Sequence, residues 1–157
     1  VKSSVYIETS IISYLTARLS NDLRVAANQK TTIEWWENRR LDFDLFVSEF
    51  VLTEAGFGDP VIAKKRLEII ADLSELLVDD SAKMLVKILI SQKAIPLKAE
   101  IDAYHIAVAA VNGIDYLLTW NCKHIANAIM RPKIEIICRQ QGFEPPTICT
   151  PQELMED

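Results

Sequence analysis

Glycine is scarce in this chain, with four in 157 residues. None forms a Gly-x-Gly-x-x-Gly loop after the first apolar run, which argues against a Rossmann-like small-molecule binder. Cysteine is scarce and odd in number. Cys122, Cys138 and Cys149 lie far apart, match no zinc pattern, and are expected to be thiols in a reducing cytosol, buried as small apolar groups. No apolar run approaches the roughly 20 residues that span a bilayer, so no membrane association is expected. Val1-Lys2-Ser3-Ser4 leads straight into a strand pattern without the layout of a signal peptide, and the expected location is cytoplasmic. Positive charge is also in deficit. A net charge of −5 argues against a protein whose whole surface grips nucleic acid.

What is present fits an ordinary globular protein. Half the residues are apolar and a quarter charged, and the length suits one domain over residues 1–157 with a substantial core. No repeat, low-complexity segment or Gly/Ser-rich linker suggests a boundary. Charge is unevenly spread. Asp42, Asp44, Glu49, Glu54 and Asp59 fall in a stretch without Lys or Arg, and Lys64-Lys65-Arg66 forms a basic knot soon after. Such a pattern fits an acidic centre beside a phosphate path. It equally fits a solvated surface of mixed charge, which is the simpler reading of the charges alone.

Strand and helix signals alternate along the chain. Ser4 to Ile7 reads as a buried strand. A helix should run from Thr9 or Ser10 to near Arg18, and a long one from a cap at Asp22 to about Arg40. Phe43 to Val47 reads as strand and Glu49 to Phe57 as a short helix. Asp59-Pro60 should cap and start another helix. Leu76 to Val78 is a weak strand signal. Helices are expected over Asp80 to Lys93 and Leu97 to Asn112, the latter stopped by Gly113. Asp115 to Thr119 reads as strand, Arg131 to Gln141 as helix, and Ile148-Cys149 as a last strand. Thr150-Pro151-Gln152-Glu153 has the form of a capping box for a terminal turn. Alternation of this kind predicts an α/β fold with a mostly parallel sheet covered on both faces.

Four polar residues stand where burial is expected. Glu8 closes Val5-Tyr6-Ile7, Asp102 opens the apolar stretch from Ala103 to Val111, and Asn121 follows Tyr116-Leu117-Leu118-Thr119-Trp120. Glu54 belongs to the short helix after the second strand. An acid in such a place persists most easily with a hydrogen-bond partner or a cation. In parallel sheets ligands bind beyond the carboxyl ends of the strands, and this layout can gather all four groups at that edge. Several converging oxygens suit a hard divalent ion. Singly, each has a plainer role: Glu8 and Asp102 as helix N-terminal carboxylates, Glu54 as a surface acid, Asn121 as a turn former.

Four blocks in order carry a resemblance to a known family: Val5-Tyr6-Ile7-Glu8-Thr9-Ser10, Ser48-Glu49-Phe50-Val51-Leu52-Thr53-Glu54, Asp102-Ala103-Tyr104-His105-Ile106-Ala107, and Tyr116-Leu117-Leu118-Thr119-Trp120-Asn121. Over nearly its full length the chain resembles PIN domains, most closely the VapC-type toxins of bacterial toxin–antitoxin modules. The resemblance implies a three-layer α/β/α domain and a divalent-metal site using Mg²⁺ or Mn²⁺. It implies cleavage of RNA, a cognate antitoxin as partner, and a homodimer. By the same resemblance Glu8, Glu54, Asp102 and Asn121 are the catalytic set, with Glu8, Glu54 and Asp102 as metal ligands. Thr9 and Thr119 would hydrogen-bond the phosphate or the acids. The family commonly has Asp at the first site and often at the fourth, where this chain has Glu8 and Asn121. Three carboxylates remain, which weakens a second metal more than a first, and displaced ligands handicap Mg²⁺ more than Mn²⁺. The rival reading is a catalytically weakened PIN-like module that binds RNA or protein.

Metal-bound water would attack the phosphodiester, with Glu54 best placed to orient it. Without metal, close carboxylates repel and at least one should become harder to ionise. His105, three residues after Asp102, is expected to be a packed, hydrogen-bonded core histidine. His124 is a possible RNA contact or a structural group. Core or dimer contacts are expected for at least one of Trp35 and Trp36, and a solvated helix face for Lys64-Lys65-Arg66.

Overall fold

The computed structural model describes residues 1–156; Asp157, the last residue of the expected domain, lies outside the described residues. In chain order the elements are β1 (Ser3–Ile7), α1 (Thr9–Thr16), α2 (Leu23–Arg39), β2 (Phe43–Ser48), α3 (Glu49–Ala55) and α4 (Pro60–Ile70). They continue with β3 (Ser74–Leu76), α5 (Asp80–Ser91), α6 (Glu100–Val111), β4 (Tyr116–Leu118), α7 (Arg131–Gln140) and β5 (Thr147–Cys149). The five strands form one all-parallel sheet in the order β3-β2-β1-β4-β5. A parallel sheet needs helices on both faces, and its inner strands read as continuous apolar runs. Val5, Tyr6 and Ile7 on the central strand are accordingly fully buried. The helices pack in two groups, α1 with α2, α3 and α4, and α5 with α6 and α7. The architecture is the expected three-layer α/β/α sandwich.

Strand order explains where a site can form. From β1 the chain steps to β2 and β3 on one side, then crosses to β4 and β5 on the other. Between β1 and β4 the connections therefore diverge, which opens a crevice at the carboxyl ends of these two strands. Glu8 and Thr119 are the residues that follow β1 and β4. The Glu8 N–H still donates to the Leu118 carbonyl at 3.1 Å, so the two strand ends are tied side by side.

Local chemistry sets the helix starts. Asp22, Asp59 and Asp79 each accept backbone N–H bonds at the N-termini of α2, α4 and α5, and Pro60 occupies the first turn of α4 as expected. Several boundaries differ from the sequence reading. α1 stops at Thr16 because Ala17 is already extended. The segment expected to be helical from Leu97 begins as a 3₁₀ turn, Leu97–Ala99, and becomes α-helix only at Glu100. β3 forms at Ser74–Leu76, two residues before the expected Leu76 to Val78, because parallel pairing with β2 matches Phe46 to Ser74 and Ser48 to Leu76. The Glu153 carboxylate accepts from the Thr150 N–H and hydroxyl, so the capping box forms and closes a terminal turn as expected.

The tryptophans are core and near-core residues. Trp35 is fully buried and donates its Nε1–H to the Leu154 carbonyl at 3.1 Å, which pins the C-terminal turn to α2. Trp36 is half-buried beneath the Arg40 guanidinium. The pair does not form an exposed seam. Arg66, from the basic knot, donates Nε–H to the Ala55 carbonyl at 2.8 Å and Nη2–H to the Phe57 carbonyl. A cation there satisfies the open carbonyls after α3 and suits the negative end of the helix dipole. Lys64 and Lys65 remain on the solvated face.

Candidate metal centre

Glu8 ends β1 and is only 4 % exposed. Its backbone is extended, and its side chain turns back over the first turn of α1 as the N-cap. Oε2 accepts the Ser10 N–H at 3.1 Å, while Oε1 accepts the hydroxyls of Ser10 and Thr119, each at 2.5 Å. The helix-cap role and the site role are therefore carried by one carboxylate. Both hydroxyls are themselves fixed, since Ser10 Oγ accepts the Trp120 N–H at 2.8 Å and Thr119 Oγ1 accepts the Asn121 N–H at 2.9 Å.

Glu54 arrives from the last turn of α3, a helix capped by Ser48. Its Oε1 accepts the Thr9 hydroxyl at 2.7 Å and lies 2.6 Å from His105 Nε2. Burial pushes the Glu54 carboxyl upward, but the hydrogen bond and electrostatic attraction of His105 and the Thr9 hydroxyl together hold it below the usual carboxylate range. One ligand atom from each of Glu8, Glu54 and His105 lies within 4.8 Å of the others, a grouping that can hold a metal ion.

Asp102 stands in the first turn of α6, outside this tight group but within electrostatic reach of Glu54, His105 and His124. Its carboxyl is raised above the ordinary value. Burial is the principal cause, opposed by a hydrogen bond from Asn121 and by the two histidines, with repulsion from Glu54 a lesser contribution. The expected rise of one carboxyl is thus present, and it comes from desolvation more than from the neighbouring charge.

Asn121 does two things at once. Its Oδ1 accepts the N–H groups of Lys123 and His124 at 3.2 and 3.1 Å, which is the turn-forming role. With that oxygen occupied, the amide N–H₂ is the group left to face Asp102. Asn121 therefore meets the acids as a donor.

Three groups in the neighbourhood were not fully legible in the sequence. His105 is a packed, hydrogen-bonded histidine as expected, but its partners, Tyr6 and Glu54, lie 99 and 51 residues away in sequence. His124 buries its Nδ1 without a hydrogen-bond partner. Ser10, the donor that touches Glu8 twice, was missed altogether; its place two residues after Glu8 fits an N-cap acceptor bonding the N–H two positions on.

The donors fit a hard divalent ion. His105 has both ring nitrogens engaged, Nδ1 with Tyr6 and Nε2 with Glu54, so the open valences at the centre are carboxylate oxygens. Oxygen donors of this kind suit Mg²⁺ or Mn²⁺ and not the softer metals. A cavity of about 500 Å³ lined by Trp36, Phe43, Asp44 and Asp72 lies at the amino ends of β2 and β3 and shares no residue with the acids. It is the wrong end of the sheet for this chemistry.

An all-parallel α/β/α sandwich with acids at the β1/β4 crevice defines the class: a PIN-like fold. The particular likeness is to a chain in the crystal structure of VapBC2 from Rickettsia felis bound to a DNA fragment from their promoter. The match covers 94 % of this chain and 98 % of that one, with a TM-score of 0.55 and 14 % sequence identity. The chain thus has a VapC-like PIN fold. No protein-family profile matches the sequence, and no curated protein matches it. No described helix is long and apolar enough to cross a membrane.

Proposed function

We propose that this chain is a divalent-metal-dependent endoribonuclease that hydrolyses RNA phosphodiester bonds. In this reading it is the toxin of a toxin–antitoxin pair, one PIN-like domain over residues 1–157, acting in the cytoplasm. The observation that carries the proposal is the meeting of Glu8 and Glu54, with Asp102 alongside, at the switch-point crevice of a VapC-like fold. Glu8, Glu54 and Asp102 would hold Mg²⁺ or Mn²⁺. The bound ion would supply a water of lowered pKa and neutralise charge on the phosphate. Glu54 is gripped through Oε1 by Thr9 and His105, which leaves Oε2 to orient the attacking water. Thr119 and Ser10 hold Glu8, and Asn121 steadies Asp102 by donating to it. Titrating Mg²⁺ and Mn²⁺ against cleavage of single-stranded RNA tests the proposal. Metal-dependent cleavage that disappears in Asp102→Asn is the expected result, and metal-independent or absent cleavage refutes it.

One observation favours the second reading, a weakened RNA- or protein-binding module. The Glu8 carboxylate already accepts three hydrogen bonds, and the Asn121 oxygen is spent on its own turn. RNA binding that persists without any cleavage in either ion would select it. A cognate antitoxin is the proposed partner, because the structure resembled is a VapBC2 assembly. Co-expression with the adjacent small reading frame should yield a stable complex. A homodimer is also proposed. It draws on the exposed Phe57, Val61 and Ile62, since Trp35 is spent in the core. Light scattering at micromolar concentration should report two copies, and a monomer would remove this element.

A further inference from the structure

Behind the acids lie three polar side chains with no solvent contact: Tyr6 from β1, Ser48 at the end of β2, and His105 from α6. The Tyr6 phenol oxygen is 2.7 Å from Ser48 Oγ and 2.6 Å from His105 Nδ1. His105 Nε2 is 2.6 Å from Glu54 Oε1, and the Phe50 N–H donates to Ser48 Oγ at 3.3 Å. For a neutral ring, one arrangement of protons satisfies the whole row. The Glu54 carboxylate only accepts, so Nε2 carries the hydrogen. Nδ1 is then bare and accepts the Tyr6 O–H. The Tyr6 oxygen accepts the Ser48 O–H, and the Ser48 oxygen accepts the Phe50 N–H. Each donor meets one acceptor, as buried polar groups require.

Packing alone asks for neither hydroxyl. The Tyr6 and His105 rings meet edge to face with centroids 5.6 Å apart, a contact that phenylalanine at position 6 would keep. A buried hydroxyl at that position matters through the proton it places. We propose that Tyr6, backed by Ser48, fixes the His105 ring with Nδ1 facing the phenol and Nε2–H directed at Glu54. His105 then acts as a positioning residue that holds Glu54 by Oε1 and keeps Oε2 free toward the metal site. Only this last clause rests on the metal-dependent reading above. Outer partners of this type orient ligands, and their loss typically costs 10–100-fold in metal affinity.

The test uses the full chain and two kinds of readout. In metal-free protein, ¹⁵N spectra of the His105 imidazole should show a bare Nδ1 and a protonated Nε2. Tyr6→Phe should disturb that pattern and move the ¹³Cδ resonance of Glu54 while leaving the fold intact by circular dichroism. A ring protonated on Nδ1 in the parent, or an unmoved Glu54 resonance in Tyr6→Phe, overturns the proposal. With Mn²⁺, Tyr6→Phe should weaken binding by about tenfold. His105→Gln, whose amide N–H can stand where Nε2–H does, should retain more affinity than His105→Asn, whose amide is too short. Equal losses in the two would mean that His105 serves as bulk alone, against the proposal. If the parent bound no Mn²⁺, the nuclease reading would fall, and the metal-free spectra would still decide the tautomer and its hold on Glu54.

Discussion

Replacing Glu8 by glutamine keeps the side-chain length and removes the charge. The carboxylate now accepts on both oxygens, from Ser10 N–H on Oε2 and from the Ser10 and Thr119 hydroxyls on Oε1. An amide has one accepting oxygen. If it takes the Oε1 place, its N–H₂ faces the Ser10 N–H, donor against donor. Hydrogen bonds to a charged group are worth about 1.5–3 kcal/mol each and neutral ones about half that. Losing one bond and weakening two would cost on the order of 3–4 kcal/mol. Release from burying a charge that is 4 % exposed returns part of it, leaving a net loss of about 2 kcal/mol. For a protein of this size that is a fall in Tm of roughly 4–8 °C. Thermal unfolding in metal-free buffer measures the stability effect, and RNA cleavage with Mn²⁺ measures the functional one. Cleavage should drop with either ion, as expected for loss of a metal ligand's charge. An unchanged or higher Tm would refute the claim that Glu8 is structurally engaged through both oxygens. Cleavage equal to the parent's would refute Glu8 as a ligand.

Asp102→Asn should go the other way. The folded-state carboxyl is raised, so Asp102 contributes most to stability when protonated and loses that contribution as pH rises through its folded value. At neutral pH the asparagine variant should therefore melt at or above the parent's temperature while losing metal-dependent cleavage, and a large drop in Tm would mark Asp102 as structural. Glu54 has the opposite sign: its folded value is lowered, so its contribution is present above the ordinary carboxylate value of 4.5 and is lost as pH falls through the folded one. Glu54→Gln should lower Tm at pH 7, with the difference from the parent shrinking in acid; a difference independent of pH would contradict the assignment. Glu8→Asp shortens the arm by one methylene. It should raise Mg²⁺ activity relative to Mn²⁺ at some expense in Tm, because the Thr119 bond is stretched; an unchanged ratio of Mg²⁺ to Mn²⁺ rates would count against ligand displacement as the handicap.

Much of the fold was legible because it is written locally. The strand of Val5-Tyr6-Ile7, the caps Asp22 and Asp59, and Pro60 in a first turn each depend on neighbours a few residues away. Periodicity and capping are short-range physics, so one sequence suffices to read them. Element alternation then implied the parallel sheet, and the parallel sheet implied the edge at which Glu8 and Asn121 would lie. The misplaced β3 shows the limit. Its two residues after Leu73, Ser74 and Glu75, are exposed and carry no strand signal, and only pairing to β2 selects them.

What only the tertiary structure decided is how each polar group is used. Asn121 was a member of the catalytic set by resemblance and a turn former by itself, and its oxygen became committed when the chain turned after β4. Arg66 looked like part of a basic surface until the loop after α3 presented its carbonyls. His105 was expected in the core, but a helix address cannot reveal a phenol on β1 and a carboxylate on α3 as its two partners. Local sequence fixes which residues are helical, extended or buried, since those preferences act over a turn or a pleat. Partnership between side chains about 50 to 110 residues apart is set by sheet order and helix packing, and a buried polar group takes its function from the partner that packing brings to it.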